Sequence, residues 1–100
     1  AAATGSICDA ILTPAAGALT FPILRRLCGP GLAVTDAQAL QAIGLAWQRL
    51  KVTLEPGGAV ALAAALFQPD QIEGEDVICI GTGGNIEPAL FRRALDLVAD

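Results

Sequence analysis

Few side chains in this chain could carry chemistry, and the shortage narrows the field. There is no histidine, which removes the commonest general base and with it the usual serine or cysteine nucleophile arrangements. Three places remain. The first is the run D-V-I-C-I-G-T-G-G-N, Asp76 to Asn85, where Thr82 brings a hydroxyl and Asn85 an amide into a glycine-rich stretch. The second is Glu55, which opens a Glu-Pro-Gly-Gly turn. It could face a ligand above the alanine-rich segment that follows, or simply place a negative charge at that helix's start, where the dipole favours it. The third is Lys51, the only lysine, expected to be solvated or snorkelling from a helix. Cys8, Cys28 and Cys79 are odd in number and far apart, so no zinc site forms at recognised spacings. They read as buried, reduced thiols.

The elements that must hold these residues follow from hydrophobic spacing. Val77 to Ile80 is an unbroken, largely β-branched apolar run, which predicts a buried strand of the parallel-sheet kind. Gly81, Gly83 and Gly84 at its carboxyl end allow a sharp turn and close approach to a ligand; a plain strand-to-helix turn would use them equally well. Earlier in the chain, Ser6 to Pro14 suits a short helical turn or strand, and a loop follows around Gly17. A helix is predicted from Thr20 with Pro22 in its first turn, stopped by Gly29-Pro30-Gly31. Leu32 to Val34 is a second short strand candidate. Thr35 to Gln38 matches a capping box. Behind it Leu40, Ile43, Trp47, Leu50 and Leu54 recur at helical steps, predicting a long amphipathic helix with Trp47 in the core. Ala59 to Phe67 is apolar nearly all round, as in a helix buried on several sides. After a polar loop from Gln68 to Asp76, a last helix begins near Pro88, capped by Asn85 or Glu87, with Leu90, Phe91, Ala94, Leu95 and Val98 on one face. Strands between helices mean α/β architecture, and two or three strands are too few for a complete sheet. A part of a larger domain is expected.

Composition excludes several classes. Hydrophobic residues reach 54%, but many are alanine and only four residues are aromatic, so the chain is apolar without bulk and disorder is not expected. A net charge of −4 opposes a nucleic-acid partner. Charged residues, glutamine or proline interrupt every apolar run before it reaches a membrane span. The start A-A-A-T-G-S lacks the features of a secretion signal, and a cytoplasmic location is expected.

The order of these pieces resembles a known family. S-I-C-D-A-I-L-T-P, G-A-L-T-F-P-I-L-R-R-L, L-K-V-T-L-E-P-G-G-A-V-A-L-A-A and I-G-T-G-G-N are similar to the C-terminal part of the serine/threonine dehydratases, which are fold-type II pyridoxal phosphate enzymes. The resemblance covers nearly the whole chain. It implies part of that fold's large domain, with short parallel-type strands packed between helices, and pyridoxal phosphate as cofactor. It also implies that Thr82 sets a hydroxyl on the cofactor's pyridine nitrogen, where the family usually has serine. Gly83 and Gly84 would form the adjoining turn, Asn85 would begin the next segment, and Glu55 would lie near the cofactor pocket. Ala18 stands where these enzymes often carry glutamate. A hydroxyl is too weak an acid to keep the ring nitrogen protonated, so electron withdrawal is weaker. That suits elimination, in which the β-hydroxyl leaves as the α-proton is removed, over transamination.

The implied activity is β-elimination of L-threonine or L-serine to a 2-oxo acid and ammonia. The family's Schiff-base lysine and phosphate loop lie N-terminal to the matching part, and Lys51 is not at the lysine's place. The chain is therefore expected to be the C-terminal segment of a catalytic domain, residues 1–100, inactive alone and completed by the remainder of that domain, with a homodimer as one arrangement the family allows. A racemase, a hydroxyaspartate lyase or a diaminopropionate lyase on the same scaffold, or a non-catalytic module packing on a partner chain, are the rival readings.

Overall fold

The computed structural model describes residues 5–12 and 17–99. Thr13 to Ala16, which include the expected proline stop and part of the loop before Gly17, lie outside them. Four α-helices are present among the described residues: α1 (Phe21–Leu27), α2 (Asp36–Leu45), α3 (Val60–Phe67) and α4 (Pro88–Val98). Short 3-10 turns occupy Asp9–Ile11, Pro56–Gly58 and Pro69–Gln71.

Helix α2 is central because its small, apolar face meets both α3 and α4. Ala39, Leu40, Ala42, Ile43 and Gly44 are buried on it, and Gly44 allows the closest approach. A Cβ there would strike the Ala94 carbonyl oxygen and sit 2.8 Å from a Val98 methyl. Ala46, Leu54, Ala59, Ala63 and Ala94 complete the core, with Ile7, Leu90 and Phe91 packed against it. The predicted capping box is formed in full: Gln38 N–H donates to Thr35 Oγ1 at 3.1 Å, and Thr35 N–H donates to Gln38 Oε1 at 3.1 Å. Two donors that would otherwise be orphaned at the helix start are satisfied.

The long helix stops earlier than its apolar spacing predicts. After α2 the backbone widens into a π turn over Ala46–Leu50 and closes at Lys51, whose φ of 58° is left-handed. Val52 and Thr53 are β-branched and resist helix, and Pro56 biases Glu55 away from it. Leu54 reaches the core from outside the helix. Trp47 is 38% exposed and not fully core; it meets Phe91 edge-on, ring centroids 6.0 Å apart. Lys51 lies over the Trp47 ring at 5.7 Å and donates to the Gln48 carbonyl at 3.2 Å, so it folds back on its own helix end.

Both predicted strands are corrected by the structure. Leu32 to Val34 and Val77 to Ile80 form no strand among the described residues. A strand exists only through its ladder, and neither segment meets another extended segment in register. Ile78 is 92% exposed and Ile80 74%, the opposite of the buried run predicted. The α/β expectation is therefore not met among the described residues, whose regular structure is helical. Likewise α3 buries only Ala63 fully, so the neighbours expected on several sides are fewer here. Helix α1 forms where predicted, with Thr20 at its N-cap without a side-chain cap bond and no buried residue. Helix α4 starts at Pro88 with Glu87 as N-cap, also without a side-chain bond. Of the thiols, Cys8 is buried, Cys79 intermediate and Cys28 exposed, so the expectation of three buried cysteines holds fully only for Cys8. No helix among the described residues is long and apolar enough to cross a membrane.

Candidate functional site

The segments 53–58, which holds Glu55, and 81–85 are distant in sequence and meet in space. The chain leaves the π turn through Thr53 and Leu54, bends at the Pro56–Gly58 turn, and there lies against the loop Gly81–Gly84. Glu55 N–H donates to the Gly83 carbonyl at 3.2 Å. Each glycine of the loop uses its missing side chain to let the two segments interlock. A Cβ on Gly81 would lie 3.1 Å from Leu54 Cδ2, and one on Gly84 would lie 2.7 Å from the Thr53 carbonyl oxygen. Gly83 has a φ of +66°, which residues with side chains rarely adopt, and the Glu55 carboxylate lies against its α-carbon. The glycines thus face protein, and their bareness fixes the loop.

Thr82 is exposed at the tip of that loop. Its hydroxyl has no hydrogen-bond partner among the described residues, while its carbonyl lies against Gly58 and the next carbonyl, of Gly83, accepts from Glu55 N–H. A free hydroxyl on a fixed loop is a directed donor and acceptor, suited to one polar atom of a flat ligand. Glu55, half-buried, and Asn85 line a cavity of about 620 Å³ with Asp9, Ile86, Glu87 and Pro88. Three carboxylates on its walls would repel a phosphate. Thr82 is not among the residues that line this cavity; its single hydroxyl could meet one polar atom of a pyridoxal phosphate ring, and the acidic walls do not suit the phosphate end. Among the described residues no group of three or more histidine, cysteine or acidic side chains could hold a metal ion.

Of the sequence-predicted residues, Glu55, Thr82, Gly83 and Gly84 come together in the interlock, and Asn85 joins Glu55 on the cavity wall. Lys51 stays apart on its helix end. Sequence reasoning missed Gly58, Thr53 and Leu54 as the other half of the interlock, and Asp9 as a cavity wall. Gly58 stood in a quoted motif, yet its contact lies some two dozen residues further along the chain and leaves no local trace.

Comparison with known proteins identifies the family. The family described as pyridoxal-phosphate dependent enzyme matches residues 1–83. The chain is 36% identical over 93 residues to serine racemase from Dictyostelium discoideum, covering 91% of this chain and 28% of that protein. It is 37% identical over 82 residues to an L-threo-3-hydroxyaspartate ammonia-lyase from Pseudomonas sp, covering 82% of this chain and 26% of the relative. The crystal structure of the Dictyostelium discoideum serine racemase superposes with a TM-score of 0.67 at 35% identity, over 85% of this chain and 28% of that one. The chain thus spans little more than a quarter of the length of these relatives.

Proposed function

The chain belongs to the pyridoxal-phosphate-dependent enzymes, and from that premise we propose that the protein carrying it acts on a β-hydroxy amino acid, as a serine racemase or a hydroxyaspartate ammonia-lyase. The observation that carries the reading is the unpartnered Thr82 hydroxyl on a loop held by the Glu55–Gly83 contact. The relatives favour racemase and hydroxyaspartate chemistry over the threonine and serine dehydratase activity implied by the motifs. All of these reactions begin by removing the proton on the substrate's α-carbon.

In this reading the chain forms the wall beside the cofactor ring within a longer catalytic domain. Thr82 would direct its hydroxyl at the pyridine nitrogen. A hydroxyl cannot donate a full proton there, so that nitrogen stays neutral. Gly83, Gly84 and Asn85 would continue the wall, and Glu55 would close it from the side while its charge keeps phosphate away. When bound, pyridoxal phosphate draws electrons from the substrate bond that breaks. Residues outside this chain would supply the lysine and the phosphate site.

The test is a substrate panel on the native protein with pyridoxal phosphate: L-serine, L-threonine and L-threo-3-hydroxyaspartate, following D-serine, 2-oxo acid and ammonia. D-serine from L-serine supports the racemase, and 2-oxo acid from hydroxyaspartate alone supports the lyase. Turnover of L-threonine in preference to both returns the dehydratase reading. Silence on the whole panel overturns the proposal.

A further inference from the structure

The turn that carries Glu55 also carries Gly58, and glycine at that place is not explained by backbone freedom. Its φ lies outside the left-handed region, so alanine could adopt the same conformation. Space is what forbids it. Gly58 is buried, and a Cβ built on it would fall on the carbonyl oxygen of Thr82. The Thr82 carbonyl carbon would be 2.7 Å away and the Gly83 carbonyl oxygen 3.0 Å. These are backbone atoms of the loop, which cannot swing aside as the tip of a side chain can. One added methyl must displace the backbone at Thr82 itself.

We propose that Gly58 is a positioning residue, whose bare α-carbon sets where Thr82 stands and hence where its hydroxyl meets the cofactor ring. The inference rests on the assignment of Thr82 under the proposed function. Glu55 and Gly58 flank one short turn, and each touches the loop at a neighbouring residue: Glu55 at Gly83, Gly58 at Thr82. Moving the loop at Thr82 therefore also strains the Glu55 to Gly83 bond that holds it.

Gly44 supplies the control. Its Cβ would likewise meet backbone, the Ala94 carbonyl oxygen, but in the α2–α4 contact rather than the loop. The experiment compares wild-type native protein with G58A, G44A and T82A. Apoprotein is titrated with pyridoxal phosphate by absorbance, and thermal unfolding is recorded without cofactor. G58A is expected to weaken cofactor binding about tenfold, the scale of an overpacked contact, and to shift the bound cofactor's absorbance as T82A does. G44A is expected to lower the unfolding temperature at least as much while leaving the absorbance and affinity unchanged. If T82A changes the spectrum and G58A does not, the role of Gly58 is overturned. If T82A itself is indistinguishable from wild type, the Thr82 assignment fails first, and the inference falls with it. An unstable G58A is titrated in trimethylamine N-oxide, which favours the folded form, against wild type in the same solution.

Discussion

Cys8 and Asp36 show how single residues fasten this chain. The Ser6 hydroxyl donates to Asp36 Oδ1 at 2.6 Å, Ile7 N–H donates to Asp36 Oδ2 at 3.3 Å, and Cys8 N–H donates to the Ser6 hydroxyl at 3.0 Å. The start of the described chain is so tied to the first residue of α2, and Cys8 is carried into the interior. Burial pushes the Cys8 thiol up; the Ser6 hydrogen bond opposes this, and the carboxylates of Asp36 and Asp9 raise it further. The folded chain therefore keeps a proton that the unfolded chain releases. That contribution to stability is complete below the unfolded thiol's value of about 8.5 and is lost as pH rises towards the folded value. Unfolding of the isolated chain at increasing pH should show falling stability above that point, and C8A should flatten the slope; an unchanged slope would refute the assignment. Alkylation should proceed in the order Cys28, Cys79, Cys8, matching their exposure, because access as well as thiolate character sets the rate. At Thr82 a conservative change separates hydroxyl from shape. T82S keeps the oxygen and should retain the cofactor absorbance of the native protein, whereas T82A should lose affinity.

Elements in this chain differ in how far the sequence betrays them, and the difference follows the range of the forces involved. The capping box of α2 spans three residues, so Thr35 and Gln38 could be read directly and are found bonded. T35A should cost about 1 kcal/mol, the usual worth of an N-cap, measured by urea unfolding of the isolated chain. The end of the same helix was hidden because the apolar spacing continues to Leu54 while the backbone does not. Val52, Thr53 and Pro56 were the local signal against it, and the left-handed turn at Lys51 realises the break. Packing between helices was less legible still. Gly44 looks like a weak point of α2 by propensity, yet its bareness admits Ala94 and Val98 of α4. G44A gains helix propensity and should nevertheless destabilise by about 1–3 kcal/mol through overpacking. A stabilised G44A would show that the contact relaxes freely.

At the scale of the whole molecule the candidate site was legible as a motif and illegible as a place. Glu55 and Thr82 could be named from their neighbours in sequence, but the interlock that joins them depends on contacts made across some 25 residues. The strand reading of Val77 to Ile80 failed for a related reason. Its composition calls for burial on both faces, and burial needs extended neighbours that this stretch does not meet among the described residues. The molecule extends 43 × 32 × 18 Å, a slab too thin to cover its own apolar residues. Leu19 and Leu27 are 86% and 71% exposed around the unburied helix α1, and Ile78 and Ile80 are bare on the other stretch. Large exposed apolar side chains such as these promote association. The isolated chain should therefore self-associate with rising concentration in sedimentation and bind a hydrophobic dye, with far-ultraviolet dichroism dominated by helix. I78K with I80K should reduce both association and dye binding without changing the helical signal, since neither residue belongs to a helix. The same pair of changes placed in the native protein tests whether these side chains are covered there. Loss of folding or of cofactor binding means that the rest of the domain buries them, as the apolar run requires; a fully active double variant would leave Val77 to Ile80 as the exposed segment seen here.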